Sequence, residues 1–128
     1  MFKGFKKKLI KVNKGKIFCR FKGNGPPLLL LHGYPQTHMM WHKTAPELSK
    51  YFTVIVADLR GYGNSLVLSG GRNHINYSKR EMAKDMIQLM DKLNFKKFLH
   101  IITQIMIMIM NMNFISFHVI VLKQQVDF

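Results

Sequence analysis

Two unbroken apolar runs, Leu28 to Leu31 and Phe52 to Ala57, stand out along the chain. Neither alternates with polar residues, and runs of this length belong to strands covered on both faces, the situation of a central strand in a parallel sheet. Between them, Trp41, Leu48 and Tyr51 punctuate a segment from about His38 to Lys50 that reads as a helical connection bent at Pro46, whose missing N–H interrupts the ladder. Strand, helix, strand makes a right-handed βαβ unit.

Upstream, FKKKLIKVN (5–13) and KIFCRF (16–21) flank Lys14-Gly15, which predicts a hairpin whose lysines mark edge strands. The Gly23-to-Pro27 stretch is a turn into the first apolar run. Downstream, Asp58 to Asn76 is a loop rich in Gly and Asn. Ser78-Lys79-Arg80-Glu81 then has the form of a capping box. Met82, Met86, Leu89, Met90 and Leu93 follow at helical spacing, a stripe that reads as core against the sheet, and Phe98 to Ile102 restarts an apolar strand. From Thr103 the character changes: Ile and Met alternate over 105–110 and Asn111-Met112-Asn113 follows, a low-complexity pattern that a six-base DNA repeat would encode. The division expected is a partial α/β domain over 1–102 and an aberrant tail over 103–128, the product of a frameshift.

With 128 residues, 48% of them apolar, the chain has room for one domain with a modest core. The formal charge of +14 is concentrated early: residues 1–22 hold nine Lys or Arg and no acid. Over-use of Lys, Asn, Ile, Phe and Met together is what an A/T-rich coding sequence gives, so the lysines read as a solvated face. They lack a stacking platform or a recognised module, and no nucleic-acid partner is expected. Cys19 is the single cysteine, which excludes an internal disulfide and suits a reducing compartment; it reads as a small buried apolar residue. The first 18 residues contain no apolar stretch of secretory length, and a cytoplasmic location is expected. The uncharged segment 101–122 is long enough to span a bilayer, so a membrane-tethered or interaction module is the alternative; Gln104, Asn111, Asn113 and His118 weaken it, and no membrane partner is expected.

His32-Gly33-Tyr34-Pro35 directly follows the first apolar run, at the carboxyl edge of the sheet where open α/β folds place ligands. Gly33 admits close approach of a reacting atom to the backbone, and Pro35 fixes a tight turn. Arg60-Gly61-Tyr62-Gly63-Asn64-Ser65 occupies the equivalent place after the second run. It is not a phosphate loop, because no Lys-Ser/Thr follows and no G-x-G-x-x-G is present. Asp58 reads as a side chain that pins this turn by hydrogen bonds. His38 and His42, four apart, could share a helix face as a metal pair, but no Glu lies between them; both read as surface or packing histidines, and neither metal nor cofactor is expected.

The combination LLLLHGYPQTHMMWHKTAPELSKYFTVIVADLRGYGNS with YSKREMAKDMIQLMDKL resembles the N-terminal half of an α/β-hydrolase, in the branch of haloacetate (fluoroacetate) dehalogenases and similar epoxide hydrolases. The resemblance implies an antiparallel hairpin leading into a mostly parallel sheet with flanking helices. It implies that Tyr34 lines the active site, its main-chain N–H holding a developing negative charge, with His32, Gly33 and Pro35 shaping the loop. It also implies a small-molecule substrate for the intact parent, attacked by an Asp in a G-x-D-x-G turn after the third parallel strand. Here Thr103-Gln104-Ile105-Met106-Ile107 stands at that place, and there is no glycine after Gly71. His100 and His118 do not match the family's base, so no residue of this chain is given a catalytic role, and a truncated, non-catalytic hydrolase fragment is expected.

Overall fold

The computed structural model describes residues 2–13, 15–33, 36–67, 79–104 and 116–120. Strands β1 (Lys6–Val12) and β2 (Gly15–Lys22) form the antiparallel hairpin, with Leu9 opposite Phe18 and Val12 opposite Gly15. The two apolar runs become β3 (Pro27–Leu31) and β4 (Thr53–Ala57), which pair in parallel from Pro27 opposite Thr53 to Leu31 opposite Ala57. After β5 (Leu66–Val67) and helix α2 (Lys79–Lys92), β6 (Leu99–Gln104) pairs in parallel with the other side of β3. With β7 (Ser116–Ile120), the sheet among the described residues has the order β1-β2-β4-β3-β6-β7, and β5 is also paired to β2.

Strand alternation explains why the central runs are wholly apolar. Leu29, Leu31, Ile55 and Ala57 face one side of the sheet with Ile17 and Cys19, packing on Met86, Leu89 and Met90 of α2. Leu28, Leu30, Val54 and Val56 face the other, against Trp41, Ala45, Phe2 and Phe5. The methionine stripe is therefore core, as its spacing indicates. Burial pushes the Cys19 thiol up to about 12, so it stays a protonated apolar filler and not a nucleophile.

Two local expectations are corrected. Only β1 is an edge of the hairpin: β2 pairs with β4 on its far side, Cys19 opposite Ala57 and Lys22 opposite Val54. The connection between β3 and β4 does not bend at Pro46. It breaks earlier, between a 3-10 turn (His38–Trp41) and α1 (Thr44–Leu48), and Pro46 falls in the first turn of α1, where its absent N–H has no partner to lose. On its far side β6 pairs antiparallel with β7, Ile101 opposite Val119. The capping box expected at Ser78 and the Ile-Met repeat over 105–110 lie outside the described residues. Within the 101–122 segment, 101–104 and 116–120 are strands, and no helix among the described residues is long and apolar enough to cross a membrane.

One buried ion pair ties α2 to the loop after β4. Arg60 Nε and Nη2 donate to Asp85 Oδ2 and Oδ1, both at 2.6 Å, with both side chains almost fully buried. A bidentate fork of this kind orients two elements, and removing one partner leaves the other charged and unsatisfied. Asp85→Ala is expected to lower stability by about 3–5 kcal/mol, while the double replacement Arg60→Met/Asp85→Leu is expected to recover most of that loss. Chemical denaturation of the two variants measures the difference; equal destabilisation by both would contradict it.

Candidate active site

Parallel pairing of β3 and β4 delivers two loops to the same edge of the sheet: His32 onward from β3 and Asp58 onward from β4. A single carboxylate joins them. Asp58, fully buried, accepts from the His38 backbone N–H through Oδ1 at 2.7 Å and from the Asn64 N–H through Oδ2 at 3.0 Å. Its two oxygens share the His38 Nδ1–H, each at 2.9 Å. Asp58 thus pins its own turn, as the sequence suggests, and also fastens the far end of the His32–His38 loop.

The turn that Asp58 holds depends on Gly63. Its φ is +52°, and a Cβ there would lie 2.3 Å from Asp58 Oδ2. Ser65 completes the turn: its Oγ donates to the Asp58 carbonyl at 2.6 Å and accepts the Phe18 N–H at 2.9 Å, linking it to β2.

His38 is a packing residue and not a surface one, buried against the Phe2 and Phe18 rings, and it is also a relay between Arg20 and Asp58. Arg20 Nε donates to His38 Nε2 at 3.0 Å, so that nitrogen is unprotonated and the ring carries its proton on Nδ1, facing Asp58. Arg20, half-buried, also lies over the rings of Phe2 and Phe18, 5.0 and 5.7 Å from their centroids. His42 is occupied separately, its Nδ1 donating to the Met39 carbonyl at 2.8 Å. The two histidines form no metal pair, and no group of three or more potential ligands occurs among the described residues.

At the near end of the loop, His32 is fully buried. Leu59 N–H donates to its Nε2 at 2.9 Å, which leaves the proton on Nδ1, where it is donated to the Gly33 carbonyl at 3.0 Å. The imidazole is a neutral strut between the β4 exit and the loop, with the Tyr62 ring edge-on at 5.3 Å. The loop itself closes tightly, Gln36 N–H donating to the Gly33 carbonyl at 2.8 Å. Thr37 then starts the 3-10 turn, its side chain accepting the Met39 N–H at 3.3 Å. Tyr34 and Pro35 lie outside the described residues.

The electrostatics follow from burial and hydrogen bonding. Burial pushes the Asp58 carboxyl up, but the hydrogen bonds from His38 and Asn64 together outweigh it and hold the group below its ordinary 3.8. Burial lowers His32 below 6.5, against weaker opposing contributions from the Gly33 carbonyl and Asp58. His100, half-buried on β6 opposite Leu29, is likewise lowered by burial, and its position on β6 keeps it out of this loop pair.

This arrangement, a neutral histidine strut, a tight Gly33 turn and a carboxylate clasp at the carboxyl edge of parallel strands, coincides with a family match. Residues 26–102 match the alpha/beta hydrolase fold family, and the chain belongs to it. It is 49% identical over 98 residues to a fluoroacetate dehalogenase from a Burkholderia species, covering 77% of this chain and 32% of that protein. A soluble epoxide hydrolase from a Corynebacterium species is 43% identical over 75 residues, 59% of this chain and 24% of the relative. Among solved structures, an alpha/beta hydrolase from Nostoc sp PCC 7120 superposes with a TM-score of 0.75 at 49% identity, covering 78% of this chain and 34% of that one. The chain therefore spans about a quarter to a third of the length of these relatives.

Two outcomes are expected. Asp58→Asn, which removes the charge that three N–H donors address, should lower stability by about 2–3 kcal/mol in denaturant titration. The folded pKa values of His32 and His100 lie below the unfolded value near 6.5, so the unfolded chain takes up the proton first. Their contribution is complete above that pH and is lost as pH falls below it. Thermal midpoints measured from about pH 7 to pH 5 should therefore decline, less steeply in His32→Gln and in His100→Gln; a midpoint that rises on acidification would contradict this assignment.

Proposed function

We propose that this chain is the charge-holding half of a hydrolase that acts on small haloacids or epoxides through an ester on an aspartate, and that it does not turn over substrate on its own. The observation that carries the reading is the His32–His38 loop, anchored at both ends by His32 and Asp58 at the carboxyl edge of β3. A loop fixed in this way presents main-chain N–H groups to developing negative charge without reorganising during reaction. In this reading the Tyr34 N–H is the donor, and Gly33 and Pro35 set its direction.

The relatives named for fluoroacetate and epoxide chemistry support the substrate class, since both reactions open a carbon–heteroatom bond by carboxylate attack. The non-catalytic part rests on the residues after the third parallel strand. A nucleophile must occupy the sharp turn there, but β6 runs on through Thr103 and Gln104 and Ile105 follows in the sequence, none of which can form an ester with carbon in this scheme. A shift of reading frame near these codons would account for both the loss of the expected turn and the Ile-Met repeat that follows.

Sequencing genomic DNA and transcript across the codons for Phe98 to Met110 tests the frameshift: a neighbouring frame is expected to encode a glycine-flanked aspartate. Fluoride release tests the chemistry. The purified 128-residue chain is expected to release none from fluoroacetate above the buffer background, and sustained release would overturn the non-catalytic reading.

A further inference from the structure

We propose that the lysine-covered face of the N-terminal hairpin is a docking surface for an anionic lipid membrane. Strand register sorts the side chains of β1 and β2 onto two faces. Ile10, Val12, Ile17, Cys19 and Phe21 join the core beneath α2. The opposite face carries Lys7, Leu9 and Lys11 of β1, directly across from Arg20, Phe18 and Lys16 of β2. Lys3, Lys6, Lys7, Lys8, Lys11, Lys16 and Lys22 are all exposed. Lys92 of α2 reaches the same edge, donating to the Lys11 carbonyl.

Among the described residues, this concentration of charge meets no acidic side chain. Lys7 faces Arg20 and Lys11 faces Lys16, like-charge pairs that oppose strand pairing. The first acid in the chain is Glu47. Among the described residues, the carboxylate–lysine and carboxylate–arginine pairs lie elsewhere: Glu47 with Lys50, Asp85 with Arg60, Glu81 with Lys84, and Asp91 with Lys96. A polyanion laid on the hairpin would relieve a repulsion that the protein itself leaves in place.

The choice of a lipid surface over nucleic acid follows from three features. The aromatic rings of the hairpin region are covered by cations: Arg20 over Phe2 and Phe18, Lys8 over Phe21 and Lys22 over Phe5, so none offers a free stacking face for a base. β2 is hydrogen-bonded on both sides, to β1 and to β4, so the hairpin is not a free two-stranded ribbon able to enter a major groove. And Leu9, 46% exposed, sits between Lys7 and Lys11 on the basic face, an apolar side chain framed by cations. Lysine stems and an exposed leucine suit the boundary between headgroups and acyl chains, where the ammonium groups reach phosphate and the carbon atoms lie deeper.

Vesicle co-sedimentation of the full chain tests the proposal. Vesicles of about 30% phosphatidylserine in phosphatidylcholine are expected to bind the chain in about 0.1 M salt and to release most of it at about 0.5 M, while pure phosphatidylcholine vesicles bind little. Each lysine at such a surface is worth about fivefold in partition, so Lys7→Gln/Lys11→Gln/Lys16→Gln should weaken binding by on the order of 100-fold. Leu9→Ser should weaken it without changing its dependence on salt. All four positions are exposed, and circular dichroism checks that the variants keep the parent's fold. Equal binding to neutral and anionic vesicles, no effect of the triple lysine variant, or tighter binding to duplex DNA than to the anionic vesicles would each overturn it.

Discussion

The Asp58 carboxylate is the constraint on which the site end of this fold depends. It sits where β4 leaves the sheet, buried, and addresses two chain segments at once: the N–H and imidazole of His38 at the end of the β3 loop, and the N–H of Asn64 in its own turn. A buried carboxylate with no partner would be strongly destabilising, so these segments must come together for the chain to bury it. The consequences spread outward. Position 63 must be glycine, because a Cβ would strike the carboxylate. His38 must be neutral with its proton on Nδ1, which leaves Nε2 to accept from Arg20, and Arg20 binds the relay to the hairpin through Phe2 and Phe18. His32 supplies the second fixed point of the loop through the Leu59 N–H.

Local pattern made the framework of the fold readable. Unbroken apolar runs exist because β3 and β4 are covered on both faces, and the methionine stripe exists because α2 covers one of those faces; both signals lie in consecutive or near-consecutive residues. The polar network is of another kind. Arg20, His38 and Asp58 are 18 and 20 residues apart, and no periodicity connects them. Asp58 alone was legible, because it directly precedes a glycine-rich turn. Asp85 carried a weak signal, an acid placed beside Met86 on the buried side of an amphipathic helix, but its partner Arg60 lies in a loop 25 residues earlier. Lysines misled where they implied an edge: β2 carries Lys16 and Lys22 yet sits inside the sheet, since their flexible stems reach solvent from its face. The break at His42-Lys43 instead of Pro46 has a similar origin, because a proline in a helix's first turn starts it instead of ending it.

The two halves of the functional reading rest on different physics. The loop that would hold charge is assembled from contacts within residues 2–65, its hydrogen bonds all lying across the β2–β3–β4 unit and Phe2 adding a ring contact. The chemistry that would generate the charge needs a nucleophile beyond β6, in a part of the fold where this sequence departs from the pattern of its family. Among the described residues no hydrogen bond of the Asp58 network runs through β6, so in the proposed reading the electrostatic part of the site would stand without the covalent part.

Long-range proton–nitrogen correlation spectra of the imidazoles, recorded near neutral pH, bear most directly on the claim that Asp58 and His32 fix this loop. The expected result is that His32 and His38 are both neutral, with a proton on Nδ1 and a bare Nε2 that accepts a hydrogen bond. Protonation of Nε2 on either ring would be incompatible with donation from Leu59 or Arg20, and would contradict the network on which the proposed charge-holding site rests.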